Sequence, residues 1–180
     1  MSSDFSQNYF ELFGLPVVFQ LDQNDLVERY RKLQRAAHPD RFANSSERER
    51  RLSIQKAAFV NQAFQQLKSP LQRARYMLEL RGVQFDDARE TDIEPAFLME
   101  QMEYREALEA VRESKDALSD LTQLEHTIQD RWQQLVNELD ALLSSDDTNS
   151  LEIGKQSVRK LQFLEKLQQE ILAMEEDLLD

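Results

Sequence analysis

The residues of this chain whose types and spacing could do chemistry are His38 and Asp40, one on each side of Pro39. A histidine and an aspartate are two parts of a hydrolytic triad, and a neutral imidazole can also hold a metal. The surrounding sequence argues against both uses. No positioned nucleophile and no glycine-rich oxyanion loop lies nearby, and Pro39 drives its neighbours' side chains apart. The second histidine, His126, is too far away in sequence to complete a local metal motif. The chain has no cysteine, which removes disulfides, thiolate-bound zinc and thiolate-bound iron–sulfur clusters. We therefore expect no catalytic residue, no metal and no cofactor. Two other readings stand beside the triad. In one, Pro39 ends a helix and Asp40 is a capping residue. In the other, Pro39 stiffens a recognition tip on which His38 and Asp40 present polar atoms.

The elements that must position this tip are helices. Three glycines and four prolines in 180 residues, with many Leu, Gln, Glu and Arg, favour long helices over strands. No apolar run approaches the ~20 residues of a membrane span. Met1-Ser2-Ser3-Asp4 lacks the basic start and apolar core of a secretory signal. These features lead us to expect an all-α, cytoplasmic protein that does not bind membranes. The net charge is -12, unfavourable for generic nucleic-acid binding. That charge is unevenly spread. Residues 1–80 carry 12 basic and 9 acidic side chains, a balance of +3, whereas residues 81–180 carry 10 and 25, a balance of -15. Such asymmetry points to two modules with different partners. Gly82, Asp86, Asp87, Thr91 and Asp92 interrupt the helical pattern between them. We place the domains at 1–82 and 95–180, with a linker at 83–94.

The first module reads as four helices. Tyr9–Phe13 ends at Gly14-Leu15-Pro16. A second helix starts after the N-cap Asp22 and stops near Ala37, because the residue before Pro39 is pushed out of helical geometry. A loop over residues 38–46 leads to a third helix, capped by Ser45 or Ser46, that runs to about Lys68. Ser69-Pro70 restarts the chain into a fourth that ends at Gly82. On the second helix Leu26, Tyr30, Leu33 and Ala37 form the buried stripe, and Arg31, Lys32 and Arg35 fall opposite as a small basic face.

The second module reads as an antiparallel three-helix bundle. Asp92 can cap its first helix, with Pro95 in the opening turn. The second spans roughly residues 114–143, where Leu121, Ile128, Leu135 and Leu142 recur every seven, interleaved with Leu118, Trp132 and Leu139. The third spans roughly 150–179, with Leu164, Ile171 and Leu178 in the same register. On the first helix Phe97, Gln101, Tyr104, Leu108 and Val111 share the core stripe. Leu98, Met99 and Met102 point roughly away, joined by Glu106 and flanked by Glu103. Unbranched methionine adapts to a partner, and acids at the rim select a basic one. The same apolar residues could instead pack on another helix. Phe163 lies about a quarter turn off its helix's core stripe and reads either as core edge or as an exposed anchor. His126 reads as solvated, and Trp132 and most Phe residues as core.

A basic helix, His38-Pro39-Asp40, Arg41-Phe42 and an antiparallel helix carrying Asn61-Gln62-Ala63-Phe64 resemble a J domain. The chain lacks the Gly/Phe-rich linker and Cys-rich zinc domain of large J proteins. Taken with Tyr9-Phe10-Glu11-Leu12-Phe13-Gly14-Leu15-Pro16, Phe97-Leu98-Met99-Glu100-Gln101 and Val158-Arg159-Lys160-Leu161-Gln162-Phe163-Leu164, it is similar over essentially its whole length to the bacterial HscB family, co-chaperones of iron–sulfur cluster assembly. The resemblance implies an L-shaped protein with a J-domain hairpin, short flanking helices and a C-terminal bundle. It implies docking on the DnaK-type chaperone HscA through His38, Pro39, Asp40, Arg31, Lys32, Arg35, Arg41 and Asn61, with stimulation of that partner's ATPase. It also implies binding of the scaffold protein IscU through Leu98, Met99, Met102, Glu103, Glu106 and Phe163. Met102 stands where the family pattern has Leu. We expect a monomer that is not itself an enzyme. The rivals are a generic J protein with another client, a coiled-coil dimer sealed by the heptad leucines, and a hydrolase using His38 and Asp40.

Overall fold

A computed structural model describes residues 7–42, 45–86 and 94–179, and the backbone but not the side chain of Pro39. The chain divides into two compact units, residues 1–80 and 81–180. Every regular element among the described residues is helical.

In the first unit α1, Tyr9–Phe13, opens with a reciprocal cap between Asn8 and Glu11. It closes at Gly14, whose φ of 63° is left-handed. The guanidinium of Arg29 donates to the carbonyls of Phe13 and Gly14, both at 3.0 Å, which satisfies acceptors that the end of the short helix leaves open. The left-handed φ is what requires glycine there; a Cβ on Gly14 would stand 3.2 Å from that guanidinium, which would have to shift by a few tenths of an ångström. Helix α2, Gln23–Ala37, is capped by Asp22, which accepts from the N–H groups of Asn24 and Asp25. It stops at His38, whose extended backbone (ψ 127°) is the one that a following proline enforces.

The stretch from 38 to 46, expected as loop, contains a regular element. Residues Pro39–Phe42 form a 3-10 turn, held by the Arg41 N–H donating to the His38 carbonyl at 3.1 Å. Ser46 and Glu49 then form a capping box for α3, Glu47–Lys68. Helix α4, Pro70–Leu80, starts on the Ser69 hydroxyl, which accepts from the Gln72 N–H. It ends two residues before Gly82, which takes a left-handed φ of 84°. Phe10, Phe13, Leu26, Val60, Leu67, Leu71, Met77 and Leu78 make the core, each fully buried side chain contributing about 1.5–3 kcal/mol.

The second unit is a bundle of α5 (Pro95–Glu113), α6 (Ala117–Leu143) and α7 (Thr148–Leu179). Glu94 occupies the N-cap position of α5 without a side-chain cap bond, and Pro95 is in the first turn. Asp92 lies outside the described residues. Helix α6 starts at Ala117 rather than at Ser114, because Ser114 ends α5 and its hydroxyl is engaged with Asp120 and the Asp116 N–H. Helix α7 starts two residues earlier than Ser150, because Asp147 serves as its cap.

The leucine register needs three corrections. On α6 the buried residues are Leu121, Leu124, Ile128, Leu135, Val136, Leu139 and Leu143. Leu142 is only half-buried. A straight helix drifts by ~20° per heptad, so after three heptads Leu143 points closer to the core than Leu142 does. Leu118 is exposed in the first turn, and Leu178 is exposed at the far end of α7. Both sit where a helix end runs out of neighbours. Trp132 is half-buried and His126 exposed. Because the central heptad leucines are buried within one chain, they are not free to seal a coiled-coil dimer.

Candidate functional site

Each unit leaves one distinctive surface unburied. In the first it is the tip of the α2–α3 hairpin. His38 Nδ1 accepts the Asp40 N–H at 3.3 Å, and the Asp40 carboxylate stands 3.5 Å from the same nitrogen. An acceptor at Nδ1 calls for the tautomer whose proton is on Nε2. The two side chains are 53% and 90% exposed, so both polar groups are open to water and to a partner. The tip is a pair of presented polar groups on a short backbone turn, and among the described residues no triad is assembled on it.

Behind the tip, Arg31, Lys32 and Arg35 are all exposed on α2, and Arg41 is exposed in the 3-10 turn. Lys32 pairs with Glu28 at 2.7 Å, which holds the Glu28 carboxyl below its ordinary range. Among the described residues Arg31, Arg35 and Arg41 have no carboxylate within ion-pair distance. Asn61, exposed on α3, has one of its polar atoms committed. Tyr30 donates its hydroxyl to Asn61 Oδ1 at 3.0 Å and accepts from Gln34 Nε2 at 3.0 Å. The Tyr30 ring stacks on Phe64 with centroids 4.0 Å apart. Tyr30 and Gln34 therefore brace the hairpin just below the tip. Sequence reasoning missed this role, because a pair joining two helices leaves no local spacing signal.

The second surface is on α5. Phe97, Leu108 and Val111 are buried, and Gln101 and Tyr104 half-buried. On the outward side Leu98, Met99 and Met102 are 43%, 64% and 62% exposed. The side chains of Glu103 and Glu106 are exposed beside them. Phe163 resolves to the core edge. It is half-buried, its ring meets Phe97 edge-on at 5.7 Å, and the Arg105 guanidinium lies 5.9 Å from its centroid.

Both flanks of α5 are fixed by ion pairs. Towards α6, Glu100 receives Arg131 at 2.8 Å and 3.4 Å and the Tyr104 hydroxyl at 3.4 Å. The hydrogen bond to Glu100 raises the Arg131 pKa, and burial raises that of Tyr104. Towards α7, Lys160 meets Glu94 at 3.0 Å and Arg105 pairs with Glu170. These contacts set the rotation of α5, so that its second apolar stripe faces solvent. Among the described residues no cluster of three or more His, Cys, Asp or Glu could hold a metal, and no helix is long and apolar enough to cross a membrane.

Comparison with known proteins places this arrangement. Residues 93–172 match the model of the HSCB C-terminal oligomerisation domain. The co-chaperone protein HscB homolog of Shewanella baltica is 44% identical over 173 residues, covering 96% of this chain and 99% of its own. That of Shewanella oneidensis is 46% identical with the same coverage. Among solved structures, chaperone HscB from Vibrio cholerae superposes with a TM-score of 0.86 at 39% identity, covering 96% of this chain and 99% of its own. Human co-chaperone protein HscB superposes at 0.85 with 27% identity, covering 97% and 85%. With a J-domain hairpin, a helical bundle and near full-length relatives at this identity, the chain belongs to the HscB family of co-chaperones.

Proposed function

We propose that this co-chaperone binds the iron–sulfur scaffold IscU on the outward face of α5 and brings it to the DnaK-type chaperone HscA, whose ATPase it stimulates through the hairpin tip. The observation that carries the reading is the pair of exposed surfaces with opposite chemistry. One unit offers exposed arginines that have no carboxylate partner among the described residues, beside a polar tip, and the other offers methionines rimmed by carboxylates. The cationic face of α2, with Arg41, steers the encounter with an acidic chaperone surface. His38, Pro39, Asp40 and Asn61 contact the chaperone once docked. Leu98, Met99 and Met102 bury apolar area against the scaffold, with Glu103 and Glu106 selecting basic residues and Phe163 supporting the edge. Holding both partners on one chain raises the scaffold's effective concentration at the chaperone. The protein has no catalytic step of its own, acts as a monomer and works in the cytoplasm.

The test is a crossed pair of variants, read by scaffold binding and by the ATPase rate of the chaperone. Asp40→Ala or His38→Gln abolishes the stimulation and leaves scaffold affinity unchanged. Met99→Ala combined with Met102→Ala does the reverse, each lost buried side chain costing on the order of 1–3 kcal/mol of binding. Stimulation that survives Asp40→Ala, or scaffold affinity that survives the methionine pair, refutes the corresponding half.

A further inference from the structure

The outward face of α5 continues past Glu103 towards α6. There the two helices enclose a trough of about 460 Å³, within the range of roughly 300–1,000 Å³ typical of ligand pockets. The helices are clamped on either side of it, by Glu100 with Arg131 at one end and by the Ser114 hydroxyl on Asp120 at the other. Between the clamps α5 presents Ala107 and Ala110, side chains too short to fill the gap, over a floor of buried Val111 and Leu124. Each end of this apolar channel carries a carboxylate, Glu103 at one and Asp120 at the other, and among the described residues no lysine or arginine lines it. With Glu100 opposite Arg131, Asp120 lies level with Val111. Eight residues of helix separate Glu103 from that level, about 12 Å.

The geometry points to this trough as the seat of an extended segment of the client, with an apolar side chain in the middle and a lysine or arginine at each end. Extended chain rises about 3.3 Å per residue, so two cations about four residues apart span the two carboxylates. A second copy of this chain is a poor occupant, because residues 81–180 carry -15 and would meet their own sign. Glu103 belongs both to the methionine face and to the trough, so one partner can cover the two without a break. The inference rests on the client reading above and adds to it which residues of the client bind and in what conformation.

Ala110 is exposed on a helix, so Ala110→Leu fills the trough without disturbing the core. The variant weakens scaffold binding about tenfold with Met99 and Met102 intact. Scaffold affinity kept within about twofold removes the trough. If the methionine pair still abolishes binding in that case, the client reading stands alone; if neither variant loses affinity, both fail. A second measurement is independent of scaffold and of any folding defect. The peptide Lys-Ala-Leu-Ala-Lys, titrated into the wild-type protein, shifts the backbone amide resonances of Ala107 and Ala110. Glu-Ala-Leu-Ala-Glu does not shift them, and Asp120→Asn weakens the response. Equal shifts from both peptides, or shifts confined to residues 98–102, overturn the proposal.

Discussion

In the first unit the helices are tied to one another by directional contacts among polar and aromatic groups. Tyr30 stacks on Phe64 and donates to Asn61, Gln62 donates to the Tyr9 hydroxyl at 2.9 Å, and the Tyr76 hydroxyl accepts from the Tyr9 N–H at 3.0 Å. Even the buried cation Arg73 is used this way, lying over the Phe19 ring and donating to the Leu67 carbonyl, with burial pulling its pKa down to about 10. The pair α6 and α7 in the second unit is held by aliphatic layers, with Leu135, Leu139, Leu161, Leu164 and Leu167 almost wholly buried and polar contacts confined to the rim. Hydrogen bonds and ring stacks fix distance and rotation, whereas leucine packing is non-directional. The difference matches what each unit displays. On the function proposed above, a recognition tip of two or three residues must be held in one geometry, while a methionine face for a client can be imprecise and adapt.

The contrast is most easily broken in the bundle. Leu161→Ala, at a position with no exposure, should cost about 2–5 kcal/mol. The chain has a single tryptophan, Trp132 on α6, so urea unfolding monitored by its fluorescence reads the second unit selectively. An unchanged midpoint means that aliphatic packing is not what holds α7. The corresponding test in the hairpin is smaller. Tyr30→Phe keeps the stack on Phe64 and deletes the hydroxyl, at a cost of about 0.5–1.5 kcal/mol. Hydrogen exchange at the Val60 and Ala63 amides measures that loss. Combined with Asn61→Ala, the double-mutant cycle should show coupling of about 0.5–1 kcal/mol. Strict additivity removes the brace and with it the contrast between the units.

Legibility in the sequence divides along the same line. Caps, helix stops and apolar periodicity are local, so Asp22, Gly14 and the bounds of α1 and α2 can be read directly, and Ser46 as one of two cap candidates. The outward position of Leu98, Met99 and Met102 is legible too, because it depends on helical angle alone. The 3-10 turn is not, because a proline that ends one helix leaves the next few backbone angles open. The seven-residue repeat misplaces Leu142 in the core because it conceals the drift of a straight helix, and Leu143 takes that place. The Arg29 clamp on α1, the Tyr30 brace and the Glu100 pair with Arg131 all join separate elements. Their geometry exists only once the helices are side by side.

The smallest expected effect sharpens the comparison at the rim of the bundle, where polar groups do act directionally. The Asp147 carboxylate receives the hydroxyls of Ser145 and Ser150 and, at 2.9 Å, the Ser150 N–H in the first turn of α7. These bonds, that from Ser145 foremost, pull its pKa from an ordinary 3.8 down to about 2. The folded chain therefore holds this group ionised after the unfolded chain has taken up a proton. Its contribution to stability is complete above pH 3.8 and disappears as the pH falls through about 2. Asp147→Asn keeps a cap acceptor but has nothing to titrate. The difference between wild type and this variant in the Trp132 unfolding midpoint should be constant from pH 7 to pH 5, then shrink across pH 4 to pH 2. Carboxylates elsewhere titrate equally in both proteins and cancel in the difference. A difference that stays flat to pH 2 would mean that the serine hydroxyls do not hold the charge. The start of α7 would then rest on backbone and leucine packing alone, and the bundle would be non-directional to its ends.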